Sequence, residues 1–157
     1  MMMRKFWPLL MAGSVGAMSV QAAPADTYEL LVGSYTAGTS EGIYRLQFDS
    51  RTGQFSGKPV LAAKAANPSW LTISKDRKHL FVVNENGPGQ KDPVGRISSY
   101  SIDPQNHQLS LINQVQSLGN EPTHSSLAAD GRYLFVANYS VLEDPGLSLI
   151  HISEPTR

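Results

Sequence analysis

The sequence predicts an all-β protein assembled from tandem four-stranded antiparallel blades, a β-propeller, and three observations carry that prediction. Asn67–Asn84 overlies Glu121–Asn138 without a gap at a spacing of 54 residues, with Pro68/Pro122, Asp76/Asp130, Leu80/Leu134, Phe81/Phe135 and Asn84/Asn138 in step. The same spacing relates Ile43/Ile97, Asp49/Asp103, Gln54/Gln108 and Ser56/Ser110, so two separate segments agree on one period. Finally, no helical periodicity is sustained after the first residues, whereas short apolar or alternating runs recur between turn signals. A β-sandwich requires no such repeat and a β-helix repeats at a much shorter interval.

Taken in chain order, residues 1–22 have the parts of an export signal. Arg4 and Lys5 precede an apolar run from Phe6 to Val20, and small residues lead to a cleavage point expected after Ala22. Pro8, Gly13 and Gly16 interrupt a run that is shorter than the ~20 residues of a permanent membrane span. A periplasmic or secreted destination is therefore expected, with no membrane contact after cleavage. The chain contains no cysteine, which suits an oxidising compartment and leaves the fold without disulfides.

Leu30–Tyr35 repeats the strand at Leu80, but at a spacing of 50, which requires four extra residues between Glu85 and Ile97. They fall in the turn-rich stretch 86–95, where an insertion does least harm. The best-defined repeat reads as strands Trp70–Ser74, His79–Asn84, Arg96–Ile102 and Gln108–Gln116. Asp76-Arg77 and Asp130-Gly131 make the tight turns between first and second strands. Leu147 to Ile152 has the character of a third strand, yet residues 141–157 match neither earlier copy in register. Ser148 to Arg157 also resembles translated sequencing-adapter DNA, so that tail, including His151, is expected not to be native. Propellers close with roughly 4–8 blades, whereas a little over two repeats lie between residues 23 and 140. The chain is accordingly expected to be the N-terminal, inactive part of a longer protein whose C-terminus supplies the first strand of the opening blade.

Lys plus Arg equals Asp plus Glu at 13 each; removing Arg4 and Lys5 leaves 11 against 13, a net charge of −2. Nothing in that balance suits nucleic acid. In a blade, the innermost strand begins and the second strand ends on the same face of the disc. Trp70, Glu121, Thr123 and His124 should therefore gather with Ser34, Tyr35, Asn84, Glu85, Asn138 and Tyr139. Such a polar rim suits a small polar ligand. His124 is the candidate catalytic residue, because imidazole exchanges protons near neutral pH. Glu85, Asn84, Asn138, Tyr139 and Tyr35 are candidate substrate-binding residues, although the two asparagines equally suit strand-end caps and Trp70 suits packing better than stacking. His79, His107 and His124 lack metal-ligand spacing, no Gly-x-Ser-x-Gly surrounds Ser125 or Ser126, and no phosphate loop is present. Neither a metal nor a cofactor is expected.

Three segments together resemble the seven-bladed lactonase family, typified by the propeller type of 6-phosphogluconolactonase and related to a fungal muconate-lactonising enzyme. They are Val32–Tyr44, Asn67–Leu71 with Phe81–Glu85, and Glu121–His124 with Asp130–Ser140. The resemblance implies seven blades and hydrolysis of a sugar lactone at the channel mouth, with the complete ring expected to be a monomer. It assigns the histidine of the Pro-x-His segment, here His124, to the site, and puts the family's other site residues, arginines and an acid, in later blades. An exported protein sits awkwardly with a phosphorylated cytoplasmic substrate, so either the lactone is an unphosphorylated sugar lactone or the family's label is broader than its chemistry. A non-catalytic propeller binding carbohydrate or protein, and a lactonising enzyme of the muconate type, remain the alternatives.

Overall fold

A computed structural model describes residues 27–139 and, for the backbone, 147–151. The export signal expected over 1–22, and residues 140–146 and 152–157 of the tail, lie outside the described residues. Among the described residues, ten strands form three antiparallel sheets. Blade 1 holds β1 (Thr27–Gly33), β2 (Gly42–Asp49) and β3 (Gln54–Lys64); blade 2 holds β4 (Pro68–Ile73), β5 (His79–Asn84), β6 (Arg96–Ile102) and β7 (Leu109–Gln116). Blade 3 holds β8 (Pro122–Leu127), β9 (Tyr133–Asn138) and β10 (Leu147–His151). Blade 2 is complete, and among the described residues blade 1 lacks the inner strand that β4 and β8 supply to their own sheets.

The run Leu80-Phe-Val-Val83 is apolar on both faces because both faces are covered. Leu80 and Val82 pack with Ile43, Tyr100 and Leu109 towards blade 1. Phe81 and Val83 pack with Ile97, Leu134 and Val136 towards blade 3. Leu80, Val82, Val83, Leu134 and Val136 are fully buried, each contributing roughly 1.5–3 kcal/mol. The third strand divides as its alternation predicts, with Tyr100 and Ile102 in the first cluster and Ile97 in the second.

Strand pairing confirms the four-residue insertion. Leu30 faces Leu46 and Leu134 faces Ile150, both 16 residues apart, whereas Leu80 faces Tyr100, 20 residues on. β10 thus pairs with β9 in the register that β2 adopts on β1. The boundaries of β5 and β6 fall where the sequence puts them, but β4 begins two residues earlier, at Pro68, because a bulge intervenes. Pro68 faces Asn84 and Trp70 faces Val83, leaving Ser69 as the extra residue. The same bulge recurs at Thr123, between Pro122 facing Asn138 and His124 facing Ala137.

Candidate active site

The two inner strands start, and the second strands end, at one end of the blades, hereafter the rim. Gly33 closes β1 directly against Pro68, where a Cβ would overlap the Pro68 carbonyl oxygen, so glycine permits the close approach of blades 1 and 2. Each blade-to-blade junction uses one local geometry. The Glu85 amide donates to the Asn67 carbonyl at 2.9 Å, and the Tyr139 amide donates to the Glu121 carbonyl at 2.9 Å. Both acceptor residues take the left-handed conformation, φ 41° for Asn67 and 49° for Glu121, immediately before a proline. Asparagine adopts this region readily, whereas a glutamate gives up about 1–2 kcal/mol to do so. The Glu121 amide, donating 3.0 Å to the Asn86 carbonyl, helps to hold it there.

Around Asn67 the rim is tied across blades. Its Oδ1 accepts from the amide and hydroxyl of Thr36, each at 3.0 Å, and its Nδ2 donates to Asn86 Oδ1 at 3.0 Å and Gln90 Oε1 at 2.7 Å. This network was not foreseen in the sequence, where the only signal was an asparagine before a proline at a repeat boundary.

Tyr35, Glu85 and Glu121 come together. The Tyr35 phenol donates a hydrogen bond to the Glu85 carboxylate, and that bond, partial burial and the negative charges of Glu85 and Glu121 push its pKa up to about 12. The Glu121 side chain fills the space that a Cβ at Gly87 would take. Of the basic residues at this end, Lys64 and Arg96 are engaged locally, with Glu41 at 2.5 Å and Asp92 at 3.2 Å respectively, and Lys91 is exposed in the loop between β5 and β6, whereas the residues gathered at Tyr35 are carboxylates. The inner part of the described rim is therefore acidic.

Asn84 lies inside blade 2, fully buried, accepting from the Ser98 hydroxyl at 2.6 Å and donating to the Ala66 carbonyl at 2.7 Å. It fastens the end of β5 to the strand beside it and to the preceding junction. Asn138 packs its side chain against Gly119, where a Cβ would come within 2.5 Å of it. Tyr139 is 70% exposed. His124 is exposed at the inner edge of β8, with its ring centroid 4.3 Å from that of Trp70 at 47°. Among the described residues no three His, Cys, Asp or Glu side chains form a metal-binding group, and no helix is long and apolar enough to cross a membrane.

The family described as lactonase, 7-bladed beta-propeller, matches residues 29–154. The chain belongs to the seven-bladed lactonase family. It is 34% identical over 108 residues to the 6-phosphogluconolactonase of Bacillus subtilis, a match covering 69% of this chain and 29% of that protein. With the 6-phosphogluconolactonase of Formosa agariphila it shares 32% identity over 131 residues, covering 80% of this chain and 34% of the relative. Among solved structures, the periplasmic gluconolactonase PpgL of Pseudomonas aeruginosa is 50% identical and superposes with a TM-score of 0.75 over 81% of this chain and 35% of that one. A putative 6-phosphogluconolactonase from Bacteroides uniformis is 31% identical, with a TM-score of 0.63 over 83% of this chain and 39% of that one. This lactonase-family chain thus spans about a third of the length of the curated relatives it matches.

Proposed function

We propose that the full-length protein is an exported lactonase that hydrolyses an uncharged sugar lactone at the rim, with His124 as its proton-transfer group. The observation that carries this reading is the placement of His124. In a chain of a lactonase family, His124, the one histidine at the start of an inner strand among the described residues, is exposed where a bulge has re-aimed the strand. Hydrolysis adds water to the lactone carbonyl carbon and releases the ring oxygen. His124 would accept a proton from the attacking water as the carbon–oxygen bond forms, then return it to the ring oxygen as the tetrahedral intermediate opens to the hydroxy acid. Glu85, Tyr35 and Tyr139 would meet the sugar hydroxyls, Asn138 would border them, and the buried Asn84 would support the strand end rather than touch the ligand.

The acidic inner rim favours an uncharged substrate. A phosphate dianion about 4 Å from Glu85 or Glu121 would meet a repulsion of about 2 kcal/mol from that carboxylate, roughly 1 kcal/mol per unit of phosphate charge, even at the dielectric of water. The likeness to a periplasmic gluconolactonase at 50% identity supports the same substrate class and an exported location. In this reading residues 1–22 are a leader removed on export, and further blades complete the ring and pair with the open edge of β1.

The test is acid release from gluconolactone with and without a 6-phosphate by the full-length protein. Faster release from the unphosphorylated lactone is expected. A preference for the phosphorylated one would refute the uncharged substrate, and no rate above spontaneous hydrolysis on either would refute the lactonase.

A further inference from the structure

Trp70 and His124 belong to different blades, yet the junction between those blades is built around them. The bulge at Ser69 sets Trp70 opposite Val83, on the face of β4 that looks towards blade 3; without the extra residue it would stand opposite Val82 and face blade 1. Thr72, two residues on, shares that face. The bulge at Thr123 likewise sets Ser125 opposite Val136, turned towards blade 2.

The two strands meet at one backbone carbonyl. Trp70 Nε1–H donates to the Ser125 carbonyl at 2.9 Å, and Thr72 Oγ1 donates to the same oxygen at 3.0 Å. The Thr72 and Ser125 hydroxyls lie 2.9 Å apart in a further hydrogen bond. Ser125 is 2% exposed, so its carbonyl, once paired, is costly to release. It is also the residue immediately after His124. The indole that anchors this carbonyl lays its ring against the imidazole, centroid to centroid 4.3 Å. One side chain thereby restrains His124 twice, through the main chain behind it and through a tilted ring-to-ring contact, the planes 47° apart.

We infer that Trp70 is the positioning residue for His124, an inference that rests on the proposed proton-transfer role of that histidine. Its indole holds the imidazole at one orientation on the rim, reaching across from the neighbouring blade. A platform for stacking sugar would leave the indole N–H free for the ligand; here the N–H is committed to Ser125 and the ring, 41% exposed as a residue, contacts His124 on one side.

The experiment is a double-mutant cycle in the full-length protein, read on lactone hydrolysis. Trp70→Ala should lower kcat about 10- to 100-fold with KM nearly unchanged, and should cost nothing further in the His124→Ala background. Trp70→Phe, which keeps a ring beside the imidazole but loses the hydrogen bond to Ser125, should fall between and guards against misfolding of the alanine variant. In NMR spectra the His124 ring protons should be displaced by the indole ring current in the wild type and return to ordinary positions in Trp70→Ala. A loss expressed in KM would make Trp70 a substrate platform, and an equal loss with and without His124 would make it merely structural; either result overturns the inference. Unchanged kinetics in His124→Ala alone would instead remove the proposed role of the histidine, while the ring-current shift would still report whether Trp70 holds it.

Discussion

Arg77 holds at φ 59° the left-handed backbone position that Gly131, 54 residues later, holds at φ 73°. Both sit in the hairpin turn between the first and second strands of a blade, closed by Ser74 N to His79 O at 2.9 Å and Ala128 N to Tyr133 O at 2.8 Å. A Cβ at Gly131 would meet nothing within 4 Å, so what separates the two residues is conformational preference alone. Arg77→Gly should raise the unfolding free energy of the full-length protein by about 0.5–1 kcal/mol, and Gly131→Ala should lower it by about 1 kcal/mol. Urea unfolding of the two variants against wild type checks both signs.

The Tyr35–Glu85 hydrogen bond has a pH signature. The phenol pKa of about 12 lies above the ordinary value of 10.0, so whatever stability the bond contributes is complete below pH 10 and is lost as the pH rises towards 12. Difference ultraviolet titration of wild type against Tyr35→Phe should show this tyrosine ionising well above the ordinary value, near pH 12. Glu85→Gln, which removes the leading cause, should bring it back towards the ordinary range. A Tyr35 that titrates normally in the wild type would show that the phenol does not bond Glu85 in solution.

Asn84 separates support from binding. Asn84→Ala would leave the buried Ser98 hydroxyl without the acceptor for its proton, though Gln114 Nε2 would still donate to its oxygen, and would remove the donor to the Ala66 carbonyl, costing about 1–3 kcal/mol, with KM for the lactone little changed in protein that remains folded. The check is thermal unfolding beside steady-state kinetics. A raised KM at undiminished stability would mean that the amide reaches substrate.

His124→Ala should reduce kcat by about 10²–10⁴-fold if the imidazole moves the proton. Because the side chain is exposed, stability should change little. Wild-type turnover in the variant would exclude the role.

Most of the fold was legible because the repeat states it twice. Leu80–Val83 and Leu134–Ala137 are apolar runs bounded by Asp turns, and their alternation assigns each side chain to a neighbouring blade. The bulges at Ser69 and Thr123 were not legible, since an extra residue beside a proline leaves no mark on composition or period. They decide which way Trp70 and Ser125 face, so the contact of Trp70 with His124 was hidden with them. The gathering of Tyr35, Glu85 and His124 at one end followed from strand order alone. The burial of Asn84 and the left-handed turn at Glu121 depended instead on packing between blades, which strand order does not specify.

The repeated junction turns one backbone into a series of equivalent addresses. Asn67 and Glu121, Trp70 and His124, and Glu85 and Tyr139 each occupy the same address in consecutive blades while offering different chemistry. The main-chain bonds that define the address, Glu85 to Asn67 and Tyr139 to Glu121, take no part in that choice. A rim of this kind displays an imidazole where the preceding blade has an indole, and a phenol where it has an acid, on one and the same main-chain geometry. The main chain of each junction is thereby fixed independently of the side chain it displays, even where, as with Asn67 and Trp70, that side chain also ties neighbouring blades together.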